Sequence, residues 1–253
     1  MVLTQASARY TKFLHSIKLP NMRLDKYLSQ STGLSRKDIK RLIHKDLATV
    51  NGMVTRDSSL QVSEDDNVTF QEMVVDAPRP RYFMMNKPYG YVCSSEDPTN
   101  ATVMGLLIDE PRPTDLHLAG RLDLDTTGLL LITDDGQWSH RLTSPKHKQG
   151  KRYLVETADP IEASTVELFA QGVQLINEKQ LTKPATLEIL GSHQAYLTLM
   201  EGRYHQVKRM FASVGNKVTK LHRDRISHID LDESLAPGEY RELTHEEINI
   251  SAQ

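Results

Sequence analysis

Gly120-Arg-Leu-Asp-Leu-Asp-Thr-Thr-Gly-Leu-Leu-Leu-Ile-Thr-Asp-Asp-Gly136 passes from a polar loop with two carboxylates directly into an apolar run. A short apolar run bounded by Gly and Asp predicts a buried β-strand, here over residues 129–133. A loop rooted in a buried strand is held rigidly, which suits catalytic side chains. Spacing alone leaves two other uses for these acids open. Asp123 and Asp125 can cap a turn, and together with Asp134 and Asp135 they can supply the oxygen ligands of a magnesium ion.

Working outward, strands are expected at 82–85 and 91–94, flanking the turn Asn86-Lys-Pro-Tyr-Gly90, and at 153–157, 186–189 and 195–200. Helices are expected at 138–143, 162–171 and 205–214. The result is an α+β domain over residues 82–253 with a mixed, largely antiparallel sheet and flanking helices. Upstream, Ala77-Pro-Arg-Pro-Arg81 marks a Pro-rich linker at 76–81, which predicts independent orientation of what it joins. Residues 22–75 form a smaller α+β unit. Leu24, Tyr27 and Leu28 mark a helix closed by Gly33, and Ser35 caps a second helix with Ile39, Leu42 and Ile43 on one face. Strands follow at 48–50 and 53–54 around Asn51-Gly52, and at 66–70. Residues 1–21 lack periodicity and read as a flexible extension.

The 253 residues are 38% hydrophobic and 25% charged, with a net charge of -2. No apolar run approaches the ~20 residues of a membrane-spanning helix. The single cysteine, Cys93, permits neither an intrachain disulfide nor a multi-cysteine metal site, and reads as a buried small residue. The amino terminus lacks the apolar stretch of a secretory signal, so a cytoplasmic protein is expected. The near-neutral total conceals three basic clusters. Residues 22–56 carry eight Lys/Arg against three Asp, residues 203–225 seven against one, and residues 141–152 five against none. Local density of this kind is what a polyanion-binding face requires, although each cluster alone is also compatible with a solvated surface.

Arg23-Leu-Asp-Lys-Tyr27, Gly33-Leu-Ser-Arg-Lys37 and Val50-Asn-Gly52 resemble the S4-type RNA-binding domain, whose two helices present a basic face to RNA. The resemblance implies RNA contacts from Arg23, Arg36, Lys37, Lys40, Arg41 and Lys45. Asp46 stands where that family often has glycine, a departure that Asp tolerates in a left-handed conformation. A longer likeness follows. Gly120-Arg-Leu-Asp123 with Thr126 and Gly128-Leu-Leu-Leu131 is similar to the signature of the RsuA/RluA-type pseudouridine synthases. Lys151-Arg-Tyr153-Leu-Val155 resembles their Lys-x-Tyr motif, and Glu201-Gly-Arg-Tyr-His-Gln-Val-Lys-Arg-Met210 their third motif. The likeness runs over residues 81–243. Asp134-Asp-Gly-Gln-Trp-Ser-His140 and Tyr204-His-Gln-Val-Lys208 are nearest to members acting on small-subunit rRNA, whereas large-subunit members usually carry Asn near the position of Tyr204.

The resemblance implies isomerisation of a uridine in 16S rRNA, within a small-subunit assembly intermediate, by a monomer that uses no cofactor or metal. The catalytic residues it implies are Asp123, Tyr153 and Lys208. Asp123 is the essential carboxylate, Lys208 a cation that favours its ionised form, and Tyr153 a ring for the uracil with a hydroxyl near the C5 proton. Arg121, Leu199, Lys151, Arg203 and Arg209 are the implied substrate-binding set. Arg121 aligns with a basic residue near the flipped nucleotide, and Leu199, on the strand before the third motif, either forms an apolar wall or packs in the core. Lys146, Lys148 and Arg152 join Arg203 and Arg209 as expected phosphate contacts. Dinucleotide, Walker and His-Glu-x-x-His motifs are absent, and His140 and His205 read as hydrogen-bonded structural residues. Two other functions remain open at this level. One is a non-catalytic RNA-binding or ribosome-assembly factor, and the other a magnesium-dependent nuclease.

Overall fold

The computed structural model describes residues 21–144 and 149–249, so the extension expected at 1–21 lies, but for Asn21, outside the described residues, as do Lys146 and Lys148. The described residues fall into two compact units that divide between Pro80 and Arg81.

The first unit contains, in order, β1 (Met22–Arg23), α1 (Leu24–Thr32), α2 (Arg36–Ile43), β2 (Ala48–Val50), β3 (Met53–Val54), β4 (Gln61–Val62), β5 (Val68–Phe70) and β6 (Met73–Val74). Gly33 ends α1 at φ 77°, and the Ser35 side chain caps α2 by accepting from the Asp38 amide. Leu24, Leu28, Ile39 and Ile43 are fully buried, so the apolar faces of the two helices share one core with Val68 and Phe70 of the four-stranded sheet. The strand expected from residue 66 begins at Val68, because the Asp66 carboxylate accepts from the amide and hydroxyl of Ser63 in a turn. Asp46 occupies the left-handed region at φ 64°.

The second unit runs β7 (Tyr82–Lys87), β8 (His117–Leu118), β9 (Thr126–Thr133), α3 (Gly136–Thr143), β10 (Lys151–Thr157), α4 (Ser164–Gln171), β11 (Thr186–Gly191), β12 (Gln194–Leu199), α5 (Gln206–Ser213), β13 (Val218–Ile226), β14 (Ile229–Asp230), β15 (Tyr240–Glu242) and α6 (His245–Ile248). One sheet has the order β11-β12-β10-β13-β9-β7-β15, with β8 on β9 and β14 on β13. Its pairs are antiparallel except β9 with β13, a mixed and largely antiparallel sheet. Leu129, Leu130, Leu131 and Ile132 are all fully buried because both faces of β9 are covered. Leu129 and Leu131 pack with Met84, Trp138 and Leu142 on one side; Leu130 and Ile132 pack with Phe83, Met85 and Leu107 on the other.

Two expectations are corrected, and an interior strand is found where none is expected. Residues 91–94 are no strand: Val92 makes only an isolated bridge to Thr102. The helix expected from 205 starts at Gln206, since His205 is left-handed at φ 46°. The sheet's long interior strand, β13, carries Lys220, His222, Arg223, Asp224 and Arg225 and was not anticipated as a strand at all. Gly128 explains how β13 reaches β9. At φ 100° its bare Cα lies against the Arg223 carbonyl, where a Cβ would come within 2.2 Å of the oxygen.

Candidate active site

The loop before β9 and the turn before α5 meet at a cavity of about 620 Å³, whose walls include Arg121, Asp123, Lys151, Tyr153, Leu199, Arg203 and His205. Its size suits a bound small molecule or a single nucleotide. The Asp123 loop is pinned on two sides. The Leu122 amide donates to Cys93 Sγ at 3.3 Å. Lys87, wholly buried, donates to the carbonyls of Pro88 (3.0 Å), Leu124 (3.3 Å) and Thr126 (2.8 Å). Burial lowers the Lys87 pKa, and three carbonyl acceptors offset part of the cost of enclosing the cation. Cys93, expected as buried, is half-buried in the cavity wall, and burial pushes its thiol pKa up.

At the centre, one Asp123 oxygen lies 3.5 Å from Lys208 Nζ and the other 3.4 Å from His205 Nε2. Both contacts leave the carboxylate oxygens without a short hydrogen bond from either group. Lys208, in the first turn of α5, makes its closer contact with Asp125 at 2.5 Å. Burial works to raise the Asp125 pKa, but the hydrogen bond and charge of Lys208 outweigh it and hold the carboxyl below its ordinary value. His205, expected as a structural histidine, is therefore part of this centre. Tyr204 stacks on its imidazole, with ring centroids 3.8 Å apart.

Tyr153 and Leu199 are buried on the adjacent strands β10 and β12 and present ring and aliphatic surface to the cavity. Lys151, two residues before Tyr153, also lines it; burial and then the charge of Arg223 push its pKa down to about 8. Arg223 is 1% exposed. Its Nε donates to the Leu129 carbonyl at 2.9 Å, while Nη2 has no hydrogen-bond partner among the described residues.

The structure thus gathers Asp123, Tyr153, Arg121, Leu199, Lys151 and Arg203 at one cavity, with Lys208 paired to Asp123 beside it. Several expected phosphate contacts are engaged with protein groups. Arg203 donates to the carbonyls of Gln180 (2.9 Å) and Leu181 (2.6 Å). Arg209 pairs with Glu178 and donates to the carbonyls of Ile176 and Tyr204. Arg152 pairs with Asp224 at 2.7 Å and lies over the Tyr196 ring. In the first unit, Arg23, Arg36 and Lys40 converge on the enclosed Asp25 carboxylate, Arg41 pairs with Asp38, and Lys37 and Lys45 are exposed.

The four acids considered as magnesium ligands are divided between two places. Asp134 pairs with Arg81 at 2.8 Å, and Asp135 caps α3 and accepts from Tyr82. Asp123 and Asp125 share Lys208, and among the described residues no group of three or more His, Cys, Asp or Glu is placed to hold a metal. Sequence reasoning missed His205, Lys87 and Arg223. His205 follows Tyr204 inside the third motif, Lys87 lies in the Asn86-Lys-Pro turn, and Arg223 was visible only as one member of a basic cluster.

Residues 81–213 match the family model described as RNA pseudouridylate synthase. The chain is 55% identical over 232 residues to the ribosomal small subunit pseudouridine synthase A of Yersinia pestis, covering 90% of this chain and 97% of that protein. It is likewise 55% identical over 228 residues to the protein of that name from Escherichia coli strain K12, covering 90% and 98%. A solved structure described as a crystal structure of pseudouridylate synthase is similar with a TM-score of 0.65 and 49% identity, covering 90% of this chain and 98% of that one.

Proposed function

This chain belongs to the RNA pseudouridylate synthase family, and we propose that it isomerises a uridine of small-subunit ribosomal RNA to pseudouridine, with Asp123 as the carboxylate that breaks the N1 glycosidic bond. The observation that carries this reading is that Asp123 and Tyr153 line one cavity and Lys208 pairs with Asp123 beside it, from three separate stretches of chain.

A uridine stacked in an RNA helix cannot reach this cavity, so the nucleotide is extruded into it at a cost of a few kcal/mol. The uracil then packs against the Tyr153 ring with Leu199 as an apolar wall. Asp123, flanked by Lys208 and His205, attacks the sugar or the base, or assists proton removal from the sugar, and the N1 bond to the ribose breaks. The detached uracil stays in the cavity, turns, and bonds to the ribose carbon through C5, with any bond formed by Asp123 breaking so that the carboxylate is released. The proton on C5 departs beside the Tyr153 hydroxyl. No electrons are transferred, and because N1 takes up a proton as C5 loses one the product is an isomer of the substrate.

The basic face of α2, with Arg23, holds a neighbouring rRNA segment. We place the reaction in the cytoplasm, on a partly assembled small subunit, with the enzyme acting as a monomer. No helix among the described residues is long and apolar enough to cross a membrane. The test is tritium release from [5-³H]uridine-labelled 16S rRNA, supplied free and as a ribonucleoprotein intermediate, with Asp123→Asn alongside. Release from one site by the wild type, and none by a variant that still binds, is the expected result. Tight binding without release from either substrate would overturn the synthase reading in favour of a binding factor. Faster release from the ribonucleoprotein than from free RNA is the outcome expected for an assembly-stage enzyme.

A further inference from the structure

We propose that Tyr204 and His205 form a stacking platform for a base of the substrate RNA adjacent to the extruded uridine, an inference that rests on the synthase reading above. Tyr204 is 74% exposed, yet its ring lies on the His205 imidazole at 3.8 Å with an interplanar angle of 19°. A large aromatic ring left this open to water contributes little to folding and offers a π face to a ligand.

The segment that carries the pair is preorganised. His205 holds φ 46° and ψ 37°, a left-handed conformation uncommon for a residue other than glycine. The surrounding bonds enforce it. The Arg203 amide donates to the side chain of the buried Gln206 at 2.9 Å, and that side chain donates in turn to Glu201 at 2.9 Å. Arg209 donates to the Tyr204 carbonyl at 3.1 Å. A rigid aromatic loses little entropy when a ligand stacks on it.

Location supplies the identity of the occupant. Both residues line the catalytic cavity, and the imidazole beneath Tyr204 stands 3.4 Å from the Asp123 carboxylate. The Tyr204 ring is one stacking layer from an imidazole whose edge reaches Asp123, so a base on Tyr204 and the uridine at Asp123 lie within the span of neighbouring nucleotides of an unstacked strand. Extrusion strips a neighbouring base of its stacking partner, and the Tyr204 ring replaces it.

The test compares Tyr204→Phe, Tyr204→Trp, Tyr204→Leu and Tyr204→Ala in the full-length enzyme. Dissociation constants for an rRNA fragment containing the target site and KM and kcat from tritium release are both measured. Loss of the ring in Tyr204→Leu and Tyr204→Ala raises Kd and KM by about 5- to 100-fold, the range for one base stacked on an aromatic side chain. Tyr204→Phe and Tyr204→Trp, which keep a ring, show the smallest rises. A fragment made abasic at the stacked neighbour loses affinity for the wild type and does not lose it again for Tyr204→Ala. Equal Kd for Tyr204→Leu and Tyr204→Phe, or no abasic position whose effect depends on Tyr204, overturns the platform. Absence of tritium release by the wild type would instead overturn the synthase reading, and the Kd series would still decide whether Tyr204 stacks.

Discussion

The ammonium of Lys208 stands 3.5 Å from the carboxylate of Asp123. Its short contact, at 2.5 Å, goes to Asp125. Asp125 therefore fixes the cation, and Asp123 receives its field without being tied by a short hydrogen bond. Lys208→Met is expected to lower single-turnover tritium release by about 100-fold or more, the scale for removing one aligned electrostatic partner. Asp125→Asn, which loosens Lys208 without removing it, is expected to cost less. An equal loss in both variants would mean that Asp125 acts directly rather than by holding Lys208.

Lys151 is expected to set an alkaline limit on activity. Burial and the charge of Arg223 bring its pKa to about 8, so it is cationic at pH 7 and loses its proton as the pH passes that value. If it binds the nucleotide as a cation, kcat/KM falls above pH 8, and Lys151→Arg, which stays charged, lacks that limb. The sign for folding is opposite. The unfolded chain holds the proton to about 10.4, so this site's contribution to stability rises with pH between the two values. A pH profile of kcat/KM unchanged in Lys151→Arg would remove Lys151 from the binding set.

Residues 129–132 were legible because four consecutive fully buried apolar side chains leave a signal in sequence whatever covers them. The Ser35 cap and the Gly33 stop were legible because both act within a few residues. β13 was not, because Val-Thr-Lys-Leu-His-Arg-Asp-Arg-Ile has no apolar alternation strong enough to mark a strand and its burial depends on β9 and β10 lying on either side. The same non-local cause hid Arg223. In the site, the motif residues Asp123, Tyr153 and Lys208 were readable from their resemblance. The engagement of Arg203 and Arg209 with carbonyls of residues 176–181 was not, since a guanidinium reads identically whether it faces phosphate or backbone. The place of His205 beside Asp123 was not legible because the left-handed turn that aims it there is imposed by Gln206, Glu201 and Arg209.

Gly128→Ala tests the contact between β9 and β13. A Cβ there would sit 2.2 Å from a backbone oxygen, and φ 100° is strained for any side chain. The neighbouring carbonyl belongs to an interior strand and has little room to yield. A loss of about 2–4 kcal/mol is expected in denaturant unfolding, combining backbone strain with steric displacement. Because Asp123 lies just before this strand, residual folded protein should also show slower tritium release. Wild-type stability in Gly128→Ala would show that β13 can shift without cost.

Asp25 tests whether placement or net charge governs the N-terminal basic face. Its side chain is 0% exposed and receives Arg23 at 3.0 Å, Arg36 at 2.7 Å and Lys40 at 3.5 Å. Burial works to raise its pKa, but the hydrogen bonds from Arg23 and Arg36 outweigh it and hold the carboxyl at about 2. A depressed carboxylate stabilises the fold in full above its unfolded value, near 3.9, and this contribution is lost as the pH falls from there towards 2. Asp25→Asn is expected to lose about 2 kcal/mol at pH 7 and to flatten acid unfolding in that window, because charge-assisted hydrogen bonds to a buried carboxylate are among the stronger ones. The variant also removes one negative charge from the face, raising its net charge by one. If charge density alone drove RNA binding, Asp25→Asn would bind an rRNA fragment more tightly and with a steeper salt dependence. With Arg23, Arg36 and Lys40 held in position by Asp25, the expected result is weaker binding in spite of the higher net charge, measured by titration at two salt concentrations below the onset of unfolding.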